Sequence, residues 1–305
     1  MDTPALKVAL LGVGLIGADL LAKIQRSPRL QCTVVAGRNR EAVGIRRAAA
    51  LGFPVTDGGI GALAGPHRHQ YDLVFDATEA VSHREHWEVL RPLGKKVIDL
   101  TPSGIGHMVV PSVNASDALT HDNVNLVSCG GQAAIPVLAS LSGRFKEIRY
   151  VEVVTTASSQ SVGRGTRLNL DEYVATTERA VRAFTGVQAV KALVNLSPAR
   201  PPADFRVAVS ALLPDADLGA VAEVVEATVG RVRSYVPGYR LLTCTVLGRE
   251  RVFVSLEIRG RGDLLPTYAG NLDIMNDTAV AIAEQYAAAA PRALPDPLPA
   301  QELTR

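Results

Sequence analysis

The run Gly12-Val13-Gly14-Leu15-Ile16-Gly17 constrains this chain more than any other stretch. It closes a continuous apolar segment, LKVALLG at 6–12, of the kind a buried parallel strand requires. It opens a segment in which Leu15, Ile16, Leu20, Leu21 and Ile24 recur at helical spacing. Between a strand and a helix the three glycines have separate tasks. Gly12 permits a tight turn, Gly14 lets a pyrophosphate approach the backbone, and Gly17 lets the helix pack close on the strand, with the helix N-terminus facing the anion. The pattern predicts a dinucleotide-binding unit. The alternative is a glycine-rich turn in an α/β protein that binds no nucleotide.

The alternation continues. CTVVAG (32–37), YDLVFDAT (71–78) and KKVIDLT (95–101) read as strands, with helices at 41–51 and 80–92. This is doubly wound α/β organisation. After residue 147 the strands lengthen: IRYVEVVTTAS (148–158), QAVKALVNLS (188–197), FRVAVSAL (205–212) and RVFVSLEIRG (251–260). Helices are expected between them at about 171–184 and 217–229. The second half therefore reads as an α+β unit with a largely antiparallel sheet, and 305 residues accommodate two domains. The tail at 291–305 is proline-rich and expected to be loose. A net charge of +2 argues against nucleic acid and membrane surfaces as partners. No apolar run is long enough to span a bilayer, and the N-terminus lacks a charged segment before its apolar run. Cys32, Cys129 and Cys244 are far apart in the chain, which fits a reducing cytoplasm. No metal site is expected, since no two cysteines are near neighbours and His67-x-His69 lies in a turn-like GPHRHQ.

Cys129 stands apart from the other two thiols. In NVNLVSCGGQAAIPVLASLS (123–142) it follows a short strand and precedes a buried helix, with Gly130 and Gly131 after it. That strand should end at the same sheet edge as the dinucleotide. A helix N-terminus is expected to lower a thiol pKa, and two glycines should let a substrate carbonyl reach the sulfur and the helix amides. A thiolate beside a nicotinamide can oxidise a thiohemiacetal, or reduce a thioester in reverse. A buried structural cysteine is the alternative, and it is the reading for Cys32 and Cys244.

Seven separated blocks then carry a resemblance: VALLGVGLIGADLL, VFDAT, VIDLTPSGIG, VNLVSCGGQAAIPV, SVGRGTRLNLDEY, YVPGYRL and YAGNLDIM. Together, and to about residue 286, the chain resembles the acylating acetaldehyde dehydrogenases, relatives of the aspartate-semialdehyde dehydrogenases. The resemblance implies an N-terminal Rossmann-type domain (1–129) and a C-terminal α+β catalytic and dimerisation domain (130–269). A helix at 270–290 would return to the first domain. It implies Cys129 as the acyl-thioester nucleophile, coenzyme A as acyl acceptor and donor, and a homo-oligomer. Its cofactor positions fall on Val13 to Ile16, on Ser161, Val162, Gly163, Arg164, Gly165, Thr166, Arg167, Leu168 and Asn169, and on Asn271. Asp204 aligns with a family aspartate that orients catalytic groups or water; a strand-start surface aspartate is the alternative. The residues themselves agree in part. SSQSVGRGTRLN (158–169) is a Gly-, Ser- and Arg-rich loop suited to an anionic cofactor, or simply a flexible loop. Asn271 and Asp273 open a helix, where plain capping is the other reading.

All six histidines precede Cys129, whereas the phosphorylating relatives place a histidine base after the cysteine. The lack of one after Cys129 disfavours a semialdehyde-type phosphorylating enzyme, which is the enzymatic alternative; a Rossmann redox sensor is the non-enzymatic one. Two departures from the family stand out. The region between YVPGYRL and YAGNLDIM is shorter, which bears on docking of an aldolase partner. Where the family commonly carries GID after strand two, this chain has AGRNRE. Asn39 cannot repel a 2′-phosphate, and Arg38 and Arg40 beside it suit one, so NADP(H) is expected over NAD(H). Otherwise both arginines are solvated surface charges.

Overall fold

The computed structural model describes residues 5–163, 167–248 and 250–289, and the tail at 291–305 lies outside them. Seven strands form one parallel sheet: β1 (Leu6–Leu11), β2 (Leu30–Ala36), β3 (Val55–Thr56), β4 (Leu73–Asp76), β5 (Lys96–Asp99), β6 (His107–Met108) and β7 (Asn123–Asn125). Their spatial order is β3-β2-β1-β4-β5-β7-β6, so the winding reverses between β1 and β4. The crevice outside the carboxyl ends of strands at such a reversal is where α/β sheets bind ligands. Helices α1 (Leu15–Arg26), α2 (Val43–Ala50), α3 (Gly59–Ala64), α4 (Ala80–Leu90) and α5 (Pro111–Asn114) intervene. Val8, Ala9 and Leu10 are fully buried, as the unbroken apolar run in β1 requires.

The next helix, α6 (Cys129–Arg144), is apolar around almost its whole circumference and buried from Gly130 to Leu138. It packs against β8 (Tyr150–Ser158), α7 (Leu170–Thr185), β10 (Phe205–Leu212), α8 (Leu218–Arg233) and α9 (Gly270–Ala289). The second sheet adds β9 (Val190–Ser197), β11 (Tyr239–Leu247) and β12 (Arg251–Ile258), in the order β11-β12-β10-β8-β9. Every pairing in it is antiparallel except β8 with β9. Inward-facing Val151, Val153, Thr155 and Ala157 alternate along β8 with less buried residues, so one face meets the helices.

The final helix α9 runs back to α1. Lys23 reaches from α1 to Asp273 at 2.8 Å and Asp277 at 2.6 Å, and Asn276 Nδ2 donates to Asp19 Oδ2 at 2.9 Å. These groups are all buried. Burial first, then the neighbouring Asp273, pushes the Asp277 carboxyl up to about 6 against the pull of Lys23.

Candidate active site

The glycine run forms the turn from β1 into α1. Gly12 has φ +92, and a Cβ there would stand 2.8 Å from Thr78 Cγ2. A Cβ on Gly17 would stand 2.2 Å from the Gly12 carbonyl oxygen, so the helix approaches the turn more closely than any side chain allows. Above Gly14 none of the described residues comes within 4 Å of the same position. Gly14 caps α1 with no side-chain hydrogen bond, and the first turn carries no acid. An open space at uncapped helix amides fits a dinucleotide pyrophosphate. A hollow over Val13, Gly14 and Leu15 is bounded across the gap by Gln160, Ser161 and Tyr268.

Cys129 is the first residue of α6, half-buried, and reached through a strained backbone. Val127, two residues earlier, has φ 62, a conformation that β-branched side chains rarely adopt. It is held there: Asn125 Oδ1 accepts the Val127 N–H at 2.9 Å, and Gln132 Nε2 donates to Leu126 O at 2.9 Å and to Val109 O at 2.7 Å. Ser128 caps α6 by accepting the Gly131 N–H at 2.9 Å. Its hydroxyl also meets Thr177 Oγ1 at 2.7 Å, and Thr177 in turn donates to the Tyr173 carbonyl at 2.7 Å. The first turn of α6 is thereby tied to α7.

The sequence leads to an open approach above the two glycines; the structure fills it. Tyr173 Oη accepts the Gly130 N–H at 2.9 Å and lies 3.4 Å from Cys129 Sγ and 3.4 Å from Thr155 Oγ1. A Cβ on Gly130 would come within 2.2 Å of Thr155 Oγ1 and 2.4 Å of Tyr173 Oη. Glycine is needed at 130 to seat two protein hydroxyls. The expectation of a lowered thiol pKa is also corrected. Burial pushes the Cys129 thiol up to about 11, outweighing the hydrogen bonds from Tyr173 and from the amides of Gly130 and Cys129 that favour the anion. The helix field is present, but the surrounding apolar wall dominates it.

That wall also joins the thiol to the glycine run. One cavity is lined by Cys129, Thr155 and Tyr173, by Ile16 of α1, and by Asn271 and Leu272 of α9. Leu272 lines the hollow over Gly14 as well. Asn271 Nδ2 donates to Ser161 O at 3.0 Å, while its buried Oδ1 has no hydrogen-bond partner among the described residues, which suits a carboxamide donor.

The other sequence-derived positions divide. Ser161, Val162 and Gly163 lie beside the glycine run, and a Cβ on Gly163 would stand 3.9 Å from Leu15 Cδ1. Arg164, Gly165 and Thr166 lie outside the described residues. Arg167 turns inward on its own loop, donating to Val162 O at 3.1 Å and to Ser159 O. Leu168 is exposed, and buried Asn169 precedes α7. After β2, the Arg38 side chain is 85% exposed and 4.0 Å from Glu79 Oε1; Arg40 is exposed, and Asn39 Oδ1 accepts the Glu41 N–H at 2.9 Å. Asp204 lies 3.8 Å from Arg259 Nε and is not among the residues that wall the Cys129 cavity.

Sequence reasoning missed Tyr173 and Thr155, which are 44 and 26 positions from Cys129 and announce no chemistry by type. It also missed a buried network beneath the crevice. Asp76 Oδ2, at the end of β4, accepts from His83 at 2.9 Å and His86 at 2.8 Å, and Asn123 Nδ2 lies 3.1 Å from His83 Nε2. Burial opposes charge on both partners. The two histidines nonetheless hold the Asp76 carboxyl well below its usual range, while Asp76 and Asp99 raise His83. The signal was available: His83 and His86 are three apart, hence on one face of α4.

Residues 129–266 match the family model described as prokaryotic acetaldehyde dehydrogenase, dimerisation. An acetaldehyde dehydrogenase of Streptomyces griseus is 52% identical over 283 residues, 92% of this chain and 90% of the relative. Those of Geobacillus thermodenitrificans and Pectobacterium atrosepticum are 45% and 44% identical, over 92% and 91% of this chain and 95% and 94% of the relatives. The chain belongs to the acylating acetaldehyde dehydrogenase family. Membership makes it an oxidoreductase of the aldehyde dehydrogenase type, for which the glycine-run crevice implies a nicotinamide cofactor and the acylating class implies coenzyme A. The segment matched by the acetaldehyde dehydrogenase dimerisation model begins at Cys129 itself. Among the described residues no helix is long and apolar enough to cross a membrane, and no group of three or more His, Cys, Asp or Glu side chains is placed to hold a metal ion.

Proposed function

We propose that this chain interconverts an aldehyde, acetaldehyde by analogy with its named relatives, and the corresponding acyl-coenzyme A through an acyl-Cys129 thioester, with NADP(H) preferred. The observation that supports this reading is the shared cavity, which Cys129 lines together with Ile16 of the glycine-run helix and Asn271 of α9. Gly12 to Gly17, Ser161 and Asn271 would hold the dinucleotide, and Arg38 and Arg40 its 2′-phosphate. A nicotinamide bound there supplies the two-electron acceptor.

The remaining chemistry belongs to the chain. The Cys129 thiol gives its proton to solvent, the thiolate adds to the aldehyde carbon, a C–S bond forms as the carbonyl π bond breaks, and the oxygen becomes the alkoxide of a thiohemiacetal. Loss of hydride from that carbon leaves the thioester on Cys129. Attack by the coenzyme A thiol then releases acyl-coenzyme A and returns the Cys129 thiol. All six histidines lie before Cys129, and the acceptor thiol needs less base assistance than water because its pKa is closer to neutral. We further propose the division into 1–129, 130–269 and a returning helix at 270–290, with assembly of a homo-oligomer through the second unit. The three free cysteines suit a reducing cytoplasm.

The test is a spectrophotometric panel of short aldehydes and acyl thioesters against both nicotinamides. Coenzyme A-dependent reduction of the nicotinamide by an aldehyde is expected. Turnover that requires inorganic phosphate in place of coenzyme A would replace this reading with the phosphorylating one.

A further inference from the structure

We propose that Tyr173 is a catalytic residue of this site: its phenolic hydroxyl, fed by the Gly130 N–H, donates the hydrogen bond that holds Cys129 as a thiolate. The inference rests on the acyl-Cys129 reading and adds a group that the sequence motifs do not single out.

Donor and acceptor accounting leads to it. The Gly130 amide can only donate, so the Tyr173 oxygen accepts at 2.9 Å. The phenol's own proton then has two destinations, Cys129 Sγ and Thr155 Oγ1, each at 3.4 Å. Once the sulfur is ionised it is the stronger acceptor, because a charged partner outcompetes a neutral hydroxyl. A phenol that accepts from an amide at the positive end of α6 is polarised toward donation. Tyr173 therefore passes the helix field on to the sulfur. Burial first, then the neighbouring Cys129, raises the Tyr173 hydroxyl well above its ordinary pKa, so it remains a donor and does not act as a base.

The surroundings fix the hydroxyl in this place. Tyr173 and Thr155 are both buried. The turn of α7 that carries Tyr173 is tied to the α6 cap through Thr177 and Ser128. Gly130 is the only residue type that leaves room for both hydroxyls over its Cα. In each turnover the thiol must ionise against its burial, and the phenol is the one side-chain donor recorded on the sulfur among the described residues.

Tyr173→Phe keeps the ring and removes one oxygen. In the full-length protein, iodoacetamide alkylation of Cys129, followed by mass spectrometry between pH 8 and 10, is expected to run about tenfold slower at each pH, the effect of losing one hydrogen bond to a charged group. The kcat/KM for aldehyde should fall by about the same factor, with KM for the nicotinamide unchanged. Thr155→Val removes the competing acceptor, leaves the phenol proton to the sulfur alone, and should speed alkylation. Alkylation of Tyr173→Phe at the wild-type rate or faster would overturn the role, since the amides of Gly130 and Cys129 would then hold the anion without the phenol. An equal slowing in Thr155→Val would overturn it in favour of packing. Failure of the underlying reading looks different: no acyl adduct would form on Cys129 of the wild-type enzyme.

Discussion

The phenolic oxygen of Tyr173 lies 3.4 Å from Cys129 Sγ and 2.9 Å from the Gly130 amide nitrogen, so one hydroxyl meets both the thiol and the helix that carries it. The arrangement has a steric condition. The space over Gly130 belongs to Tyr173 and Thr155, and a methyl group there meets oxygens at 2.4 Å and 2.2 Å. Thr155 is fixed in a central strand and Tyr173 on a buried helix turn, so neither withdraws cheaply. Gly130→Ala is expected to cost about 1–3 kcal/mol of stability through overpacking. It should also reduce kcat/KM more than Tyr173→Phe does, because it displaces the phenol and strains the first turn of α6, which carries the thiol. Thermal melts paired with steady-state kinetics check this; an active Gly130→Ala enzyme with an unchanged melting temperature would contradict it.

Cys129→Ala should abolish turnover while leaving the dinucleotide bound. Removal of a covalent nucleophile removes the whole route, so the loss is expected to reach several orders of magnitude. Cofactor affinity, read by fluorescence titration, should be unchanged, since the glycine run and Asn271 are untouched. Incubation of the wild type with an acyl thioester should leave the acyl group on Cys129 and not on Cys32 or Cys244. Near-normal turnover in the variant would remove the mechanism.

The buried pairing of His83 with Asp76 makes a different kind of prediction. His83→Gln removes a cation that faces two buried carboxyls, Asp76 at 2.9 Å and Asp99 at 3.5 Å. Breaking a buried pair from one side costs about 3–5 kcal/mol. The sign with pH follows from the shifts. His83 is raised, so its contribution is complete below the unfolded histidine pKa of about 6.5 and is lost as pH rises through the folded value. Asp76 is depressed, so its contribution is complete above an unfolded value of about 4 and is lost as pH falls. Denaturant melts of wild type and His83→Gln should therefore differ most between about pH 4 and 6.5. A difference that grows from pH 7 to pH 9 would contradict the assignment.

The legible parts of this protein are those with local causes. The apolar run of β1 and the Gly12, Gly14 and Gly17 spacing needed no tertiary information, and neither did the strand-to-helix position of Cys129. The missed strand β11 reads YRLLTCTVL; it lies at the sheet edge, half exposed, and a register shift between Leu241 and Thr243 breaks its period of two. The thiol's protonation state was misread for a related reason. A helix N-terminus is visible in sequence, but the closure of two sheets and three helices around it is not, and that closure sets the sign at Cys129. Tyr173 was hidden within a motif quoted for its glycines and arginines. His83 and His86 were weighed only by their place before the cysteine.

Cofactor choice should follow Arg38 and Arg40. At the end of β2 a carboxylate would accept hydrogen bonds from the adenosine ribose and repel a 2′-phosphate. Asn39 stands there instead, with its Oδ1 spent on the Glu41 amide. The Arg38 side chain is 85% exposed and only loosely engaged by Glu79 at 4.0 Å, so it can turn to an incoming phosphate at little cost. Arg40 is exposed beside it. Glu41 opposes the trend, but it is itself drawn toward Arg46 at 3.8 Å. A guanidinium contact in a partly exposed site is worth about 1–3 kcal/mol, hence about ten- to a hundredfold in kcat/KM for NADP(H) over NAD(H). Replacing both arginines by alanine should erase most of that ratio through KM for NADP(H), with kcat and the NAD(H) parameters little changed. The phosphate contact is used equally in the ground and transition states. A higher kcat/KM for NAD(H) in the wild type, or a preference that survives the double substitution, would show that the two arginines are solvated charges and that the neutral Asn39 alone does not set the choice.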